Sequence, residues 1–468
     1  MHRPWVESTS ARRCANFSLV SGRAGRFWPV LLCVLVACRA SESRPRHLVV
    51  ISVDTLRLDR LGAYGSPLGL TPAIDGVAAT SVRFTAAYAP APFTLASMAA
   101  FMTGRYPEEI GVVANDTMLP ADVTTLAGWL TTRGWRSGAV VSNPALHGRT
   151  GIKAGFRYYD ATFPQREAGR LPERIAADTT TTALAMLEKL AADRTAPVFL
   201  WVHFQDPHGP YNPPDDLRER HLVAEQRAPD GTRRLSHSDS DRGLGTIPRY
   251  QFQPEHDDVA YYRAGYDGEI EYMDRELGRL LAALPLHLAP AETVVVFTAD
   301  HGEGLGEDDY WFAHGEYLSE PLVHVPLLVR VPGRRASVRD DVVSLVDVFP
   351  SLARLLGVDV PPGIRGRDLF APGAAAAQGF AYLATLREST VPRFGFVRRG
   401  ARYVVSLESG AAIDGVKLVG DGNGADDRAA LAAELKAFRR SLGSGVQPVE
   451  QMLSAQEREH LRALGYLE

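Results

Sequence analysis

Residues 47–53 read His47-Leu48-Val49-Val50-Ile51-Ser52-Val53 and run straight into Asp54. The run is apolar and β-branched without polar alternation, the pattern of a strand buried on both faces of a parallel sheet. Four more runs share it, at 138–142, 198–204, 293–298 and 325–331. Helical patterns lie between them. Residues 122–133 begin on an N-cap type, Asp122, and stop before Gly134. Residues 266–284 place Ile270, Met273, Leu277, Leu280, Leu281 and Leu284 on one helical face, and 346–356 end at Gly357. Strand and helix alternating over roughly 320 residues predict an α/β domain: a doubly wound, mostly parallel sheet flanked by helices.

Two stretches interrupt the alternation. Residues 213–258 are polar and rich in Arg, Asp, Ser and Pro, which predicts an insertion over one rim of the sheet. Residues 371–378, Ala371-Pro372-Gly373-Ala374-Ala375-Ala376-Ala377-Gln378, read as a linker. Beyond it, 394–397 and 402–406 flank Arg398-Arg399-Gly400-Ala401 as a hairpin, and a helical tail starts at Asp427. The expected division is a leader at 1–37, a linker at 38–46, a catalytic domain at 47–370, a linker at 371–378, and a small C-terminal α+β subdomain at 379–468. No internal repeat is visible.

The chain has 468 residues, 45% hydrophobic and 23% charged, which excludes disordered and fibrous classes. Its 51 basic and 55 acidic side chains give a net charge of −4, so there is no basic field for a nucleic-acid backbone. Cys14, Cys33 and Cys38 are the three cysteines, all within the first 38 residues. A disulfide framework, a cysteine-based zinc site and a cysteine nucleophile are therefore excluded from the rest. Arg3, Arg12, Arg13, Arg23 and Arg26 precede an apolar run at 27–37 that is too short to span a bilayer. Basic, then apolar, then small is the order of a secretory signal. Its end, Leu35-Val36-Ala37-Cys38, resembles the bacterial lipoprotein box, which implies cleavage before Cys38 and a lipid on its sulfur. A plain secretory signal is the alternative. The expected location is the cell envelope, with the acyl chains as the membrane contact. Loss of the leader removes five basic groups and one acidic group and leaves −8, which disfavours docking on anionic lipid.

In an open parallel sheet, ligands sit beyond the carboxyl ends of the strands. Asp54 follows the first run; His203, Asp206 and His208 end or follow the third; Asp300 and His301 follow the fourth. Strand ends that deliver carboxylates and imidazoles to one rim have the composition of a metal site. Each residue alone is equally well a turn former, a cap or a structural histidine. Thr94 follows Pro90-Ala91-Pro92-Phe93 and precedes the helix-forming 95–102, which puts it at a helix N-terminus. Two readings of it stay open from local sequence. It is an ordinary N-cap, or a metal-activated nucleophile where helix-end N–H groups attract an anion.

Several segments together resemble the sulfatase family of the alkaline phosphatase superfamily. They are Val49-Val50-Ile51-Ser52-Val53-Asp54-Thr55-Leu56-Arg57, Thr103-Gly104-Arg105-Tyr106-Pro107, Val202-His203-Phe204-Gln205-Asp206-Pro207-His208-Gly209-Pro210, Tyr266-Asp267-Gly268-Glu269-Ile270 and Thr298-Ala299-Asp300-His301-Gly302-Glu303-Gly304. The resemblance spans about 47–370 and extends to a tail at 461–466. It implies an ester hydrolase with a divalent metal. Sulfatases carry a Cys or Ser, converted to formylglycine, nine residues before the Thr of Thr-Gly; here that position is Thr94, and threonine cannot make the aldehyde. The family's local Arg is Met98, its Lys near Asn143 is absent, and its Lys after the Asp300 loop appears as His314.

A threonine nucleophile is instead what phosphodiesterases and phosphoethanolamine transferases of the superfamily use, and Asp206–Pro210 and the stretch from Asp300 to His314 are similar to segments of the latter. The resemblance implies that Asp54, Thr94, Asp300 and His301 hold the principal metal and that Thr94 attacks. Helix-end amides then hold the non-bridging oxygens. His208 and His314, with Asp206, either complete a second metal site or protonate the leaving group. Asn143 and Ser97 are the expected substrate contacts. Thr55 and His203 read as an N-cap and a buried strand-end histidine. His301, where sulfatases place Asn, favours zinc or manganese over calcium. The expected activity is hydrolysis or transfer of a phosphate ester, with an anionic envelope ester as substrate. The alternatives are sulfate-ester hydrolysis by Thr94 directly, and an inactive lipoprotein that binds glycan or polymer.

Overall fold

The computed structural model describes residues 44–163, 174–375, 379–398, 401–406, 416–419, 425–443, 445–463 and 465. The leader and Cys38 fall outside them, as do 376–378 of the expected linker. Among the described residues no helix is long and apolar enough to cross a membrane.

The central sheet has nine strands: β1 His47–Val53, β2 Val82–Tyr88, β3 Arg136–Val141, β4 Tyr158–Asp160, β5 Val198–Phe204, β6 Thr293–Ala299, β7 His324–Arg330, β8 Ser337–Arg339 and β9 Val343–Ser344. Their order is β4-β3-β5-β1-β6-β7-β2-β8, with β9 also on β2. All pairings are parallel except those of β7, which runs against both β6 and β2. The five apolar runs are thus all strands of one mixed, mostly parallel sheet with flanking helices. The continuous pattern marks burial on both faces, not direction, so the antiparallel β7 shares it. The pattern passes over β2, whose burial alternates along its length.

Every residue of β1, β5 and β6 is buried. Each fully buried Val, Leu or Ile side chain contributes about 1.5–3 kcal/mol of transfer free energy. The helix Ala176–Ala191 packs on β3 and β5. On β5, Trp201 stacks on Phe156 at 5.9 Å and donates its indole N–H to Ser52 Oγ at 2.9 Å. Trp201→Ala is expected to cost about 3–5 kcal/mol through the cavity it leaves. Chemical denaturation would read the loss, and a cost under about 1 kcal/mol would show that this layer does not support the sheet.

Helix boundaries differ from the sequence pattern where side chains compete for the backbone. The first helix of that pattern spans only Leu126–Thr131, because Thr125 and not Asp122 caps it, accepting Gly128 N–H at 3.0 Å. The long helix begins earlier, at Val259, capped by Asp258, and runs to His287. The segment 213–258 contains a helix, Asp215–Glu225. A second, antiparallel sheet is ordered β10 Phe380–Thr385, β11 Arg393–Arg398, β12 Ala401–Ser406 and β13 Val416–Val419. It docks beside the approach to Thr94: Ala384 N–H donates to Pro90 O at 2.9 Å, and the Tyr382 hydroxyl to Glu108 at 2.7 Å.

Candidate active site

Register brings the site together. Val53 of β1 lies opposite Phe204 of β5 and Ala299 of β6, and Val141 of β3 lies opposite His203. The strand ends are level, and the ladder continues one step beyond them. Asp54 N–H donates to Phe204 O at 3.0 Å, Asp300 N–H to Val53 O at 3.2 Å, and Ser142 N–H to His203 O at 3.1 Å. Asp54, Asn143 and Asp300 therefore leave the sheet on fixed backbones, with wholly buried side chains.

The turn after β1 is held from two sides. Thr55 has φ of +52°, a region that β-branched residues rarely enter. The Tyr266 hydroxyl donates to Thr55 O at 2.7 Å and accepts Arg57 N–H at 2.9 Å. Thr55 N–H donates to Asp300 Oδ1 at 3.1 Å, and the same oxygen accepts His301 N–H at 2.7 Å. Asp300 Oδ1 is thereby committed, while Oδ2 is buried with no hydrogen-bond partner among the described residues.

Thr94 is the first residue of the helix Thr94–Thr103, and the N-cap is Phe93, so the N-cap reading of Thr94 falls away. Its Oγ1 lies 3.3 Å from His301 Nε2 and 3.3 Å from Asn143 Nδ2. Asn143 Oδ1 accepts Ala145 N–H at 2.6 Å, which turns Nδ2 toward Thr94 and Asp54 Oδ2. Asn143 thus bridges the candidate nucleophile and a carboxylate. Asn143→Ala is expected to lower kcat about 10²-fold, the usual effect of removing one preorganised donor. A steady-state assay with unchanged circular dichroism would check it.

Two further groups at this helix end are already engaged. Ser97, like Thr94 and Asn143, is wholly buried, and its hydroxyl donates to the Asp300 carbonyl at 2.6 Å, which ties the helix to the end of β6. The Leu95 N–H, one of the helix-end amides expected to hold an anion, is already bonded to Asn115 Oδ1 at 3.1 Å.

Three imidazoles crowd the rim. His301 Nδ1 donates to Gly302 O at 2.9 Å and His208 Nδ1 to Gly209 O at 2.7 Å. A carbonyl only accepts, so in each neutral ring Nε2 carries the lone pair. His301 Nε2 is 3.6 Å from Asp300 Oδ2 and 3.8 Å from Asp54 Oδ1. The His314 ring lies 4.5 Å from His301 and 5.1 Å from His208. Its Nδ1 is 3.2 Å from Glu303 Oε1, and Glu303 Oε2 accepts the Tyr211 hydroxyl at 3.0 Å.

Burial acts on all these groups, and their neighbours decide the outcome. Burial works to raise Asp54, yet His208, His203 and His301 hold it well below the usual carboxylate range. Asp300 is pushed well above that range by burial and then by the Asp54 charge. His301 is driven well below an ordinary histidine by burial, then by His314, and His208 is lowered chiefly by burial. Burial works to lower His314, but the Glu303 carboxylate outweighs it and raises the group.

A divalent cation fits this donor set. Asp54, His203 and Asp300 offer ligand atoms within 4.8 Å of one another. Asp300 Oδ2 and the His301 Nε2 lone pair lie 3.6 Å apart, and two adjacent buried carboxylates favour a positive charge between them. Asp206, His208 and His314 do not meet that spacing among the described residues. Asp206 instead lines a small cleft with Arg174, Gln205, His208, Asn212 and Glu269.

The family model described as Sulfatase matches residues 46–358. The chain belongs to the sulfatase family. It is an ester hydrolase by that membership. Human iduronate 2-sulfatase is 27% identical over 394 residues, covering 68% of this chain and 70% of the relative. A structure solved with its substrate D-glucosamine-2-N,6-O-disulfate superposes with a TM-score of 0.69 at 17% identity, over 86% of this chain and 98% of that one. The phosphonate monoester hydrolase of Agrobacterium radiobacter gives a TM-score of 0.65 at 20% identity, over 88% and 100%. At these identities both structures show the shared fold.

In this sulfatase-family chain the sequence pattern understated four residues. His203, read as a buried strand-end histidine, joins the carboxylate cluster, with its Nδ1 2.8 Å from Ser52 Oγ. Glu303 stands three residues after Asp300 and was legible as a carboxylate on the same loop, but its link to His314 was not. Tyr211 and Asn115 carried no local signal, because their partners are far away in sequence.

Proposed function

We propose that this sulfatase-family member hydrolyses a phosphorus ester, with Thr94 as nucleophile. The fold is shared by a phosphonate monoester hydrolase and by a disulfate-bound protein, so it leaves phosphorus and sulfur open. The nucleophile position carries the choice. A threonine hydroxyl lies 3.3 Å from both Asn143 Nδ2 and His301 Nε2, and the three cationic positions that would hold a sulfate dianion are Met98, the lysine-free loop of Asn143, and His314.

Asp54, Asp300 and His301 are the residues that would hold the metal, with His203 against Asp54, and the carboxylate–imidazole mixture suits zinc or manganese. A divalent cation there supplies the positive charge that favours the ionised Thr94 hydroxyl. Thr94 Oγ bonds to phosphorus as the ester P–O bond breaks. Asn143 Nδ2 donates to Thr94 Oγ1 and to Asp54 Oδ2, which orients the nucleophile and the carboxylate together. The raised His314, oriented by Glu303, gives its Nε2 proton to the departing alkoxide. Water then replaces Thr94 at phosphorus and returns a proton to His314, restoring the site.

A panel of p-nitrophenyl esters tests the reading: the bis-phosphate, the monophosphate, a phosphonate and the sulfate. The highest kcat/KM is expected on a phosphorus ester. A clear preference for the sulfate would overturn the phosphorus reading and leave sulfate hydrolysis by Thr94 in its place.

A further inference from the structure

The helix that carries Thr94 lacks a local cap. Phe93 occupies the N-cap position and has no side-chain acceptor, although the first N–H groups of a helix have no partner within it. Asn115, 20 residues on, fills the gap: its Oδ1 accepts the Leu95 N–H at 3.1 Å. Asn115 is only 2% exposed. It sits in the segment between the helix and β3, which has no regular secondary structure around it beyond a turn at Ala114–Thr117.

Such a long-range cap is useful only if its own backbone is fixed, since otherwise ordering the loop opposes it. The fixing comes from the far end of the chain. Asn115 N–H donates to Glu388 Oε1 at 2.7 Å, from the loop after β10. Gln451 Nε2 donates to Asn115 O at 2.9 Å and to Thr117 O at 3.0 Å. Gln451 N–H donates to Asp116 O at 2.7 Å, and Met118 N–H to Val449 O at 2.8 Å. Gln451 itself is 5% exposed. The backbone N–H, the backbone carbonyl and the side-chain carbonyl of Asn115 are thus all engaged, the first two by the C-terminal part of the chain.

We infer that Asn115 is a positioning residue for Thr94, and that Glu388 and Gln451 make the C-terminal part of the chain a working support of the reacting centre. The inference rests on the Thr94 reading above. Fixing the Leu95 N–H fixes the first turn of the helix, and with it the direction of Thr94 Oγ toward Asn143 and His301. It also withdraws one N–H from any bound anion. Misplacing a reacting group by an ångström is enough to slow a reaction about 10²-fold.

The experiment uses the full chain and the best p-nitrophenyl ester of the panel. Asn115→Ala is expected to lower kcat about 10–100-fold with KM changed less than about 3-fold. Gln451→Ala, remote from the chemistry, is expected to lower kcat about 3–10-fold. In the double variant the losses should not multiply: kcat should stay within about 2-fold of Asn115→Ala, since both changes break one chain of contacts. A substrate-independent readout accompanies this. Amide hydrogen exchange of a peptide covering 93–97 is expected to quicken about 10-fold in both single variants, with a peptide from β6 unchanged. Asn115→Asp, which keeps the acceptor, should leave that exchange slow, and it serves if the alanine variant does not fold.

Lowered thermal stability with unchanged kcat, multiplicative losses in the double variant, or unchanged exchange at 93–97 would each overturn the inference. Thr94→Ala, assayed in parallel, separates the two levels. If it is dead while Asn115→Ala turns over normally, only the positioning role falls. If it is active, the nucleophile reading falls.

Discussion

Thr94→Ala is expected to reduce turnover at least about 10³-fold, the scale on which a covalent nucleophile is missed. Thr94→Ser is expected to remain within about 50-fold of the original enzyme, because the hydroxyl persists and only the rotamer restraint of the β-methyl is lost. The fold has no reason to fail in either. Thr94 is wholly buried, and its hydroxyl approaches His301 and Asn143 at 3.3 Å and also bonds the Asp300 carboxylate, while Asn143 keeps Asp54 and Ala145, and Asp300 keeps Thr55 and His301, as partners without it. Metal content should therefore be retained, apart from a moderate weakening. Quenching the reaction in acid and mapping the modified peptide by mass spectrometry is the complementary measurement. It should find a phosphoryl group on Thr94 and none in the alanine variant. Full turnover by Thr94→Ala would end the mechanism.

The residues legible in the sequence were those whose role is set by a strand end. Asp54 and Asp300 each follow an apolar run, and two parallel strands in register must bring such residues to the same rim. Thr94 was placed by the prolines before it and the helix formers after it. What remained hidden depends on pairing across long separations or on helix phase. Ser97 has a suitable side chain, but one turn beyond Thr94 it faces the end of β6 and bonds the Asp300 carbonyl. His203 needed its neighbours: Ser52 and Trp201 fix its ring from the adjacent strand and its own. Asp206 and His208 are close in sequence and line one small cleft, while His208 also reaches the histidine cluster through His314, a double placement that no spacing shows. β2 escapes the continuous pattern because its burial is interrupted at Arg83, Thr85 and Ala86.

The loss of the cationic side chains that sulfatases place around the anion also becomes intelligible in this geometry. Histidine at 314 sits against a buried glutamate, which itself is held by Tyr211. A lysine would bring a fixed positive charge to that position, whereas imidazolium can release its proton and regain it within one turnover. The exchange favours an acid over a permanent counter-charge, in keeping with a leaving group that needs a proton. In the proposed mechanism it would also place more of the anion's stabilisation on a cation held by Asp54, Asp300 and His301.

Asp300→Asn is accordingly expected to remove the bound metal and to lower turnover by about 10³-fold, while leaving the protein folded. The substitution is close to isosteric. Its Oδ1 can still accept the Thr55 and His301 N–H groups, so the turn after β1 survives. The other atom changes sign in function: Oδ2, a buried acceptor with no hydrogen-bond partner among the described residues, becomes an NH₂ that donates and so repels a cation. The metal-free forms should then behave oppositely to the holoproteins. Without metal, the original chain confines two neighbouring buried carboxylates, an arrangement that is costly unless one is protonated. The asparagine variant lacks that cost. Chelation should lower the melting temperature of the original protein and leave that of Asp300→Asn unchanged, with the metal-free variant at least as stable as the metal-free original. Elemental analysis gives the metal stoichiometry in the same samples, and calorimetry gives the melting temperatures. A variant that keeps both stoichiometric metal and turnover would remove Asp300 from the ligand set, and the proposed basis for activating Thr94 would go with it.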